Sequence, residues 1–187
     1  MSDTFCTTRE AAALLGVSVA TVQSMVESGK LQAWKTEGGH RRIYRDSVEA
    51  LLRQRNDRSR PLDVLVTEDN PALRKLMDRM LTSWGLPITV ETAENGVAAL
   101  MRIARRTPDL LITDLMMPEV DGFSLIRQLR ADAQTRQLRI IVVSALDAAQ
   151  INERGGLPDN VTVLGKPIAF DQLEALIRGL LLGRDGA

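Results

Sequence analysis

The sequence predicts an α/β protein with a doubly wound, five-stranded parallel sheet, preceded by a small separate module. From residue 61 onward, five short apolar runs typical of buried strands alternate with five amphipathic stretches typical of helices. Such alternation produces a parallel sheet covered by helices on both faces. The earlier part follows a different order, which is helix, helix, hairpin and helix. Between the two parts, the segment RQRNDRSRP is polar, highly charged and closed by a proline, as expected of a linker.

We therefore predict a module at residues 1–53, a linker at 54–61, an α/β domain at 62–183 and a tail at 184–187. The composition, 44% hydrophobic and 26% charged over 187 residues, is sufficient for a buried core. Lysine and arginine outnumber the acidic residues by ten to seven up to Arg60, whereas beyond it the acidic residues lead by seventeen to fourteen. This distribution indicates a basic module joined to an acidic domain.

Several classes of protein are disfavoured by the composition. Cys6 is the only cysteine, so no intrachain disulfide framework is expected. The first ten residues, MSDTFCTTRE, contain no apolar signal region, and no apolar run approaches the roughly 20 residues that span a membrane. We expect a cytoplasmic protein with no membrane partner. Aromatic residues make up only 3% of the chain, which argues against a stacking platform for single-stranded nucleic acid.

Polar residues that follow four of the predicted strands are expected to meet at one edge of the sheet. Parallel strands place their carboxyl ends together, and polar sites form just beyond those ends. The residues at these positions are Glu68 and Asp69 after the first strand, Asp114 after the third, Ser144 after the fourth and Lys166 after the fifth. Three carboxylates, a hydroxyl and an ammonium are thus predicted to converge.

This set of groups suits phosphoryl transfer to a carboxylate. Neighbouring carboxylates repel one another, and a hard divalent cation such as Mg²⁺ relieves that repulsion. One carboxylate can then attack a phosphoryl group, because Asp forms aspartyl phosphates. The charge of the transferred group needs a cation and hydrogen-bond donors, which Lys166 and Ser144 can supply.

Four motifs in a fixed order, TEDNPALR, ITDLMMPEVDG, VVSA and GKP, carry a family resemblance. Asp69 and Asp114 are 45 positions apart, Asp114 and Ser144 are 30 apart, and Ser144 and Lys166 are 22 apart. In order and spacing, the region from about residue 62 to 182 resembles the receiver domain of two-component response regulators. This resemblance implies a flavodoxin-like fold and a sensor histidine kinase or phosphotransfer protein as partner.

The resemblance also implies roles for individual residues. Asp114 corresponds to the phosphoacceptor and Asp69 to a direct metal ligand, while Glu68 corresponds to a carboxylate that acts through water. Met116 would offer its backbone carbonyl to the metal, which is expected to be Mg²⁺. The two remaining positions are those of the hydroxyl and the lysine that approach the phosphoryl group, Ser144 and Lys166. The Lys166–Pro167 bond is typically cis in this family.

Two features depart from the family pattern. Val163 stands where receivers commonly carry Tyr or Phe, although its run, NVTVLGK, alternates like a buried strand. The segment INERGGLPDN has two glycines and a proline where a full fourth helix would run, so helix propensity is poor there. We expect phosphorylation chemistry to survive and the signal to leave by another route, such as the first and last helices of the domain.

The N-terminal module shows the signals of two short helices and a hairpin. Thr7 and Glu10 fit a capping box before the first helix, and Ser18 can cap the second. The stretch LQAWKTEGGHRRIY predicts a hairpin with a glycine turn, in which Trp34 is expected to pack between the hairpin and the helices. Asp46 can cap a third helix that is expected to end near Leu52.

The stretches REAAALLGVSVATV and GGHRRIYRDSVEALL resemble the excisionase/MerR-like winged helix-turn-helix family. A second helix after a tight turn enters the major groove in such proteins, and a basic hairpin tip suits phosphates or the minor groove. The resemblance implies double-stranded DNA as partner. The recognition helix would present Ser18, Thr21 and Gln23, and the phosphate contacts would come from Lys30, Lys35, Arg41 and Arg42. His40, at the hairpin tip, has either a structural or a phosphate-contact role. Gln23 is equally compatible with a solvated helix position.

The hypothesis is a DNA-binding transcriptional regulator rather than an enzyme, phosphorylated on Asp114 and expected to act as a homodimer. The run Leu180-Leu181-Leu182 is either part of a subunit interface or core at the end of the domain. Two alternatives stay open, namely a protein-interaction adaptor and an atypical receiver that is not switched by phosphate. An independent phosphatase or hydrolase is disfavoured, because the sequence shows none of the extra acid/base or cap segments such enzymes need.

Overall fold

The computed structural model describes residues 4–36 and 38–185, with the side chains of residues 54–59 and 185 excluded. Residues 1–3 of the predicted module and 186–187 of the predicted tail lie outside the described part. The chain divides into two compact units, Met1–Arg60 and Pro61–Ala187. The boundaries predicted at 53, 61 and 183 stay predictions.

The first unit contains three helices and a three-stranded antiparallel sheet among its described residues. Its elements are β1 Phe5–Thr7, α1 Thr8–Leu15, α2 Val19–Glu27, β2 Ala33–Lys35, β3 Arg41–Tyr44 and α3 Arg45–Ser59. The strand order is β1-β3-β2. The capping box of Thr7 and Glu10 is present, and Ser18 caps α2, so both predicted helix starts are confirmed.

Three expectations for this unit were wrong or incomplete. Strand β1 was missed, because three residues are too short to show an alternating pattern. Helix α3 begins at Arg45, so Asp46 lies in its first turn rather than capping it. The helix also passes Leu52 and runs to Ser59, through most of the predicted linker, since its arginines and Gln54 are good helix formers and no glycine or proline intervenes before Pro61.

The second unit is a five-stranded parallel sheet with helices on both faces, which confirms the predicted fold class. Its elements are β4 Leu62–Thr67, α4 Pro71–Ser83, β5 Ile88–Ala93, α5 Gly96–Arg105, β6 Leu110–Thr113, α6 Gly122–Ala131, β7 Arg139–Ser144, α7 Ala148–Glu153, β8 Val161–Gly165 and α8 Phe170–Asp185. The strand order is β5-β4-β6-β7-β8. One core cluster packs α5, α6 and α7 on the sheet, and a second packs α4 and α8 on its other face.

The last strand and its preceding helix carry the predicted irregularity. Helix α7 has only six residues, and Gly155 and Gly156 follow with positive φ angles. Val163 is 42% exposed, so its expected burial was wrong. Strand β8 lies at the edge of the sheet, and within it only Leu164 is buried.

The C-terminal helix divides the leucine run. Leu180 and Leu181 pack against the core cluster of α4 and α8, whereas Leu182 is 70% exposed. The helix extends to Asp185, two residues into the predicted tail. Among the described residues, no helix is long and apolar enough to span a membrane.

Candidate functional site

The carboxyl ends of β4 and β6 bring the predicted acidic residues together. Thr67 and Thr113 are paired across these two strands, so the residues that follow them leave the sheet side by side. The amide of Asp114 donates to the carbonyl of Thr67 at 3.0 Å, and the amide of Glu68 donates to the carbonyl of Ala93 at 3.1 Å. Backbone pairing therefore fixes the start of both loops.

Lys166 joins two of these carboxylates. Its Nζ donates to Glu68 Oε2 at 2.8 Å and to Asp114 Oδ2 at 2.6 Å. The lysine reaches them from the end of β8, where its amide donates to the carbonyl of Ser144 at 2.8 Å. The Lys166–Pro167 peptide bond is cis, as the family resemblance implied. The lysine predicted at the strand tip is thus an ion-pair partner within the acidic cluster.

Burial sharpens the electrostatics of this cluster. Glu68 is 2% exposed and Asp114 is 6% exposed. Burial raises the pKa of Glu68, an effect that Lys166 and the amide of Asn70 oppose without cancelling. Burial alone would lower the pKa of Lys166, but its hydrogen bonds and charge attraction to Asp114 and Glu68 outweigh burial and raise that pKa. The raised pKa favours the charged, protonated form of Lys166.

Asp69 supplies the third carboxylate. One oxygen from each of Glu68, Asp69 and Asp114 lies within 4.8 Å of the other two. Asp69 is exposed, and among the described residues its carboxylate has no hydrogen-bond or ion-pair partner. Three carboxylates share one ammonium, so the cluster keeps an excess of negative charge. A donor set made only of carboxylate oxygens fits a hard cation such as Mg²⁺.

Met116 and Ser144 complete the predicted receiver residues. The amide of Met116 donates to Asp114 Oδ1 at 3.1 Å, so both oxygens of that carboxylate accept hydrogen bonds. The side chain of Met116 is exposed. Ser144 is buried at the end of β7, where its Oγ accepts a hydrogen bond from the amide of Leu146 at 3.2 Å. The hydroxyl proton of Ser144 is not used in that bond.

The turn at Asp121 and Gly122 supports the site, a role that sequence reasoning missed. Asp121 caps α6 by accepting from the amide of Ser124 at 2.7 Å. A Cβ on Gly122 would lie 2.2 Å from the carbonyl oxygen of Asp114 and 2.7 Å from the Cα of Leu115. The glycine therefore permits the close approach of α6 to the Asp114 loop. The dipeptide Asp-Gly, which usually marks a plain turn, gave no sign of this contact.

The N-terminal unit brings half of the predicted DNA-contact residues together. An open groove of about 400 Å³ lies between α2 and the hairpin, and its lining includes Gln23, Lys35, His40 and Arg41. Arg41 donates to Glu27 Oε1 at 3.0 Å, which ties the hairpin to α2. Pairing of Lys35 with Arg41 across β2 and β3 places these two cations on one face of the hairpin.

At the start of α2, Ser18 and Thr21 are both exposed. Ser18 Oγ accepts from the amide of Thr21 at 3.1 Å, and the two hydroxyls lie 2.8 Å apart. Lys30 is exposed in a different concavity, beside Tyr44 and Ser47. The structure therefore does not bring Lys30 into the groove beside Gln23.

Arg42 and Trp34 occupy the opposite face of the small sheet. Trp34 is paired with Arg42, so both side chains point away from the face that carries Arg41. Trp34 is 43% exposed and meets Phe5 edge-on at 5.8 Å between ring centroids. The expectation that Trp34 packs between hairpin and helices was therefore wrong. Strand β1, which was not predicted, provides the ring against which it packs.

Comparison with known families supports both units. The family model for the response regulator receiver domain matches residues 64–178. A helix-turn-helix domain model matches residues 5–56.

Individual relatives and solved structures match the second unit. The "Response regulator MprA" of Mycobacterium sp. (strain KMS) is 37% identical over 121 residues, which are 65% of this chain and 51% of the relative. The "Response regulator Rre1" of Synechocystis sp. is 31% identical over 121 residues, 65% of this chain and 52% of the relative. A crystal structure of a sensor protein from Polaromonas sp. JS666 is 33% identical, with a TM-score of 0.58, over 66% of this chain and 98% of that one.

The chain spans about half the length of the curated relatives it matches. The matched receiver region covers more than half of this chain and includes every residue of the acidic cluster and Lys166. The chain therefore belongs to the response regulator receiver family, and it carries a helix-turn-helix domain before the receiver.

Proposed function

We propose that this chain is a DNA-binding transcriptional regulator of a two-component system, phosphorylated on Asp114 by a sensor histidine kinase or a phosphotransfer protein. The observation that carries the proposal is the arrangement around Asp114. Its carboxylate is buried, hydrogen-bonded by Lys166 at 2.6 Å, and within 4.8 Å of two further carboxylates. The names of the relatives, which are response regulators, agree with this assignment.

The proposed reaction is nucleophilic attack by a carboxylate oxygen of Asp114 on the phosphorus of a phosphohistidine. A P–O bond forms, the P–N bond breaks, and the histidine nitrogen leaves with the bond's electron pair and takes a proton from solvent. Lys166 Nζ remains beside the modified carboxylate and pairs with phosphoryl charge. The hydroxyl proton of Ser144, which the bond from the Leu146 amide does not use, is available for a hydrogen bond to a phosphoryl oxygen.

In the proposal, Asp69, Asp114 and the backbone carbonyl of Met116 would hold a Mg²⁺ ion, and Glu68 would act through water. When bound, it neutralises charge on the carboxylates and on the phosphoryl group. The excess of carboxylates over ammonium groups in the cluster is the reason such an ion fits.

We propose that α2 enters the major groove of double-stranded DNA and that the hairpin holds the phosphates. The groove lined by Gln23, Lys35, His40 and Arg41 supports this orientation, because a base-reading side chain and three phosphate-binding candidates lie together. Ser18 and Thr21 lie at the exposed start of the same helix. Arg42 lies on the other face of the small sheet, so Arg41 is assigned the larger contribution.

The proposal includes a cytoplasmic homodimer whose stability or DNA affinity changes on phosphorylation. The exposed Leu182 on α8 offers an apolar contact for a second subunit. A single small winged helix reads few base pairs, so two copies improve specificity.

Retention on immobilised duplex DNA across a salt series tests the proposed DNA function. Wild type is expected to elute at higher salt than Arg41→Ala. For Arg41→Ala, the slope of log affinity against log salt concentration should be smaller by about one, since one phosphate contact is lost. Arg42→Ala is the matched control with the same loss of charge, and a smaller effect is expected. Repeating the series with beryllofluoride and Mg²⁺ measures the effect of the modified state. No retention at any salt concentration, in either state, would instead favour a protein-interaction adaptor.

A further inference from the structure

Arg74, on the first turns of α4, makes contacts that the proposed chemistry does not yet use. Its Nη1 donates to the carbonyl oxygen of Glu68 at 2.7 Å and to the carbonyl oxygen of Asp69 at 3.2 Å. One guanidinium nitrogen therefore holds two consecutive peptide groups. These peptide groups belong to the two residues that carry neighbouring carboxylates of the acidic cluster.

The segment held by Arg74 is the one that leaves the sheet. The amide of Glu68 still pairs with the carbonyl of Ala93, but beyond it the chain turns towards α4. Asn70 caps that helix, with its Oδ1 accepting from the amides of Ala72 and Leu73. Between these two fixed points stands Asp69, whose exposed carboxylate has no hydrogen-bond or ion-pair partner of its own among the described residues. Its orientation therefore depends on how its peptide groups are held.

The position of Arg74 is itself well determined. Its amide donates to the carbonyl of Asn70 at 2.9 Å within the first turn of α4. The side chain then folds back over this turn to reach the preceding loop. Arg74 thus links a rigid helix to the loop that presents Asp69.

We propose that Arg74 is a positioning residue for the cation site: by holding the peptide carbonyls of Glu68 and Asp69, it sets the carboxylate of Asp69 in place for a divalent cation. The inference rests on the proposed function, because it concerns the same acidic cluster. Arg74 does not touch the cation. It acts through the backbone of the two residues that it holds.

Charge and positioning give opposite signs for the effect of removing Arg74. A guanidinium close to a cation site repels the cation, so loss of its charge alone would strengthen Mg²⁺ binding. Loss of the two hydrogen bonds leaves Asp69 free to rotate away, which weakens binding. Groups that orient metal ligands typically contribute roughly 10- to 100-fold in affinity. We therefore expect Arg74→Met to bind Mg²⁺ roughly 10-fold more weakly than wild type.

Arg79 provides the matched control. It lies on the same helix, is exposed, and has no hydrogen bond or ion pair within the described part of the chain. Arg79→Met removes the same charge and leaves the loop intact, so its Mg²⁺ affinity should match that of wild type or rise slightly. Arg74→Lys keeps the charge and one donor nitrogen, but its side chain is shorter and reaches the two carbonyls less well, so an intermediate affinity is expected.

The experiment is Mg²⁺ titration of the full-length chain by isothermal calorimetry, with wild type, Arg74→Met, Arg74→Lys and Arg79→Met. Urea unfolding midpoints, measured in the presence of a chelator, show whether each variant is folded. If Arg74→Met is not folded, Arg74→Lys is compared with wild type instead. A second readout is the rate of phosphorylation by acetyl phosphate as a function of Mg²⁺ concentration. The half-saturating Mg²⁺ concentration should rise roughly 10-fold in Arg74→Met, while the rate at saturation stays near that of wild type.

Equal or tighter Mg²⁺ binding by a folded Arg74→Met, with wild type binding normally, would overturn this inference and leave the proposed function intact. A wild-type chain that binds no Mg²⁺ would overturn the metal part of the proposed function and the inference with it. A lower phosphorylation rate at saturating Mg²⁺, with unchanged half-saturation, would also overturn the positioning role, because Arg74 would then act on the reaction itself.

Discussion

Replacing Lys166 with Met is expected to destabilise the second unit strongly. The change removes hydrogen bonds of 2.8 Å and 2.6 Å to two buried carboxylates and leaves both without a countercharge. Breaking a buried ion pair by removing one partner costs about 3–5 kcal/mol. The lysine side chain is 21% exposed, and Asp69 exposes one side of the cluster to solvent. We therefore expect a loss of unfolding free energy at the lower end of that range, about 3 kcal/mol.

Urea unfolding measures this loss. The chain has two tryptophans, Trp34 and Trp84, so a Trp34→Phe background leaves Trp84 as the reporter of the second unit. With a urea slope of about 2 kcal/mol per M, the loss lowers the midpoint by roughly 1.5 M. The control is Lys75→Met, which removes an exposed lysine from α4. Saturating Mg²⁺ should raise the midpoint of Lys166→Met more than that of wild type, since three carboxylates then lack an ammonium.

An equal urea midpoint for Lys166→Met and Lys75→Met in the presence of a chelator would rule out the expected destabilisation. It would mean that the ion pairs of Lys166 are offset by the cost of burying its charge. A midpoint that Mg²⁺ raises equally in wild type and Lys166→Met would refute the electrostatic part alone.

The remaining predictions concern Gly122 and Gly183, the thiol of Cys6, and the capping box of Thr7 and Glu10. Gly122→Ala should destabilise the second unit by about 1–3 kcal/mol, because the new Cβ clashes with the Asp114 carbonyl. Gly183→Ala, whose new Cβ has nothing within 4 Å, should stabilise it by up to about 1 kcal/mol. Urea unfolding midpoints of the two variants test both expectations. Cys6 is buried and burial raises the pKa of its thiol, so it should react with a disulfide reagent only as urea unfolds the first unit, and rapid reaction of the native thiol would contradict this. Thr7→Ala should cost the first unit about 1 kcal/mol through loss of the helix cap. Hydrogen bonds from the amide and hydroxyl of Thr7 lower the pKa of Glu10. The stabilisation from that carboxylate is therefore present at neutral pH and lost as the pH falls through the lowered pKa. Urea midpoints that show no such loss across a pH series would contradict this role of Glu10.

The acidic cluster could be predicted because its geometry follows from topology. Once the strands are known to be parallel, residues such as Asp69, Asp114 and Lys166 must follow their carboxyl ends at one edge. The contacts of Arg74 and Gly122 could not be predicted in this way. Each contact depends on how closely a loop approaches a helix, and the separation between a loop and a helix leaves no periodic pattern in the sequence.

Residues in both units show where local sequence patterns fail. The consecutive residues Arg41 and Arg42 read as one basic tip, but a strand sends them to opposite faces. Trp34 was expected to pack between the hairpin and the helices, yet it lies on the other face of the small sheet with Phe5, whose short strand was not predicted. Val163 belongs to a run that alternates like a buried strand, but that strand lies at the edge of the sheet and follows a short helix, so Val163 is exposed. For Trp34 and Val163, neighbours that are distant in the sequence decided how exposed the side chain is.

Intact-mass measurement shows whether Asp114 is the phosphoacceptor. The full-length chain is incubated with acetyl phosphate and Mg²⁺, and with a cognate kinase where acetyl phosphate gives no reaction. We predict that wild type gains the mass of one phosphoryl group, that chelation of Mg²⁺ prevents the gain, and that Asp114→Asn shows none. No gain in wild type with either donor, or an equal gain in Asp114→Asn, would contradict the account.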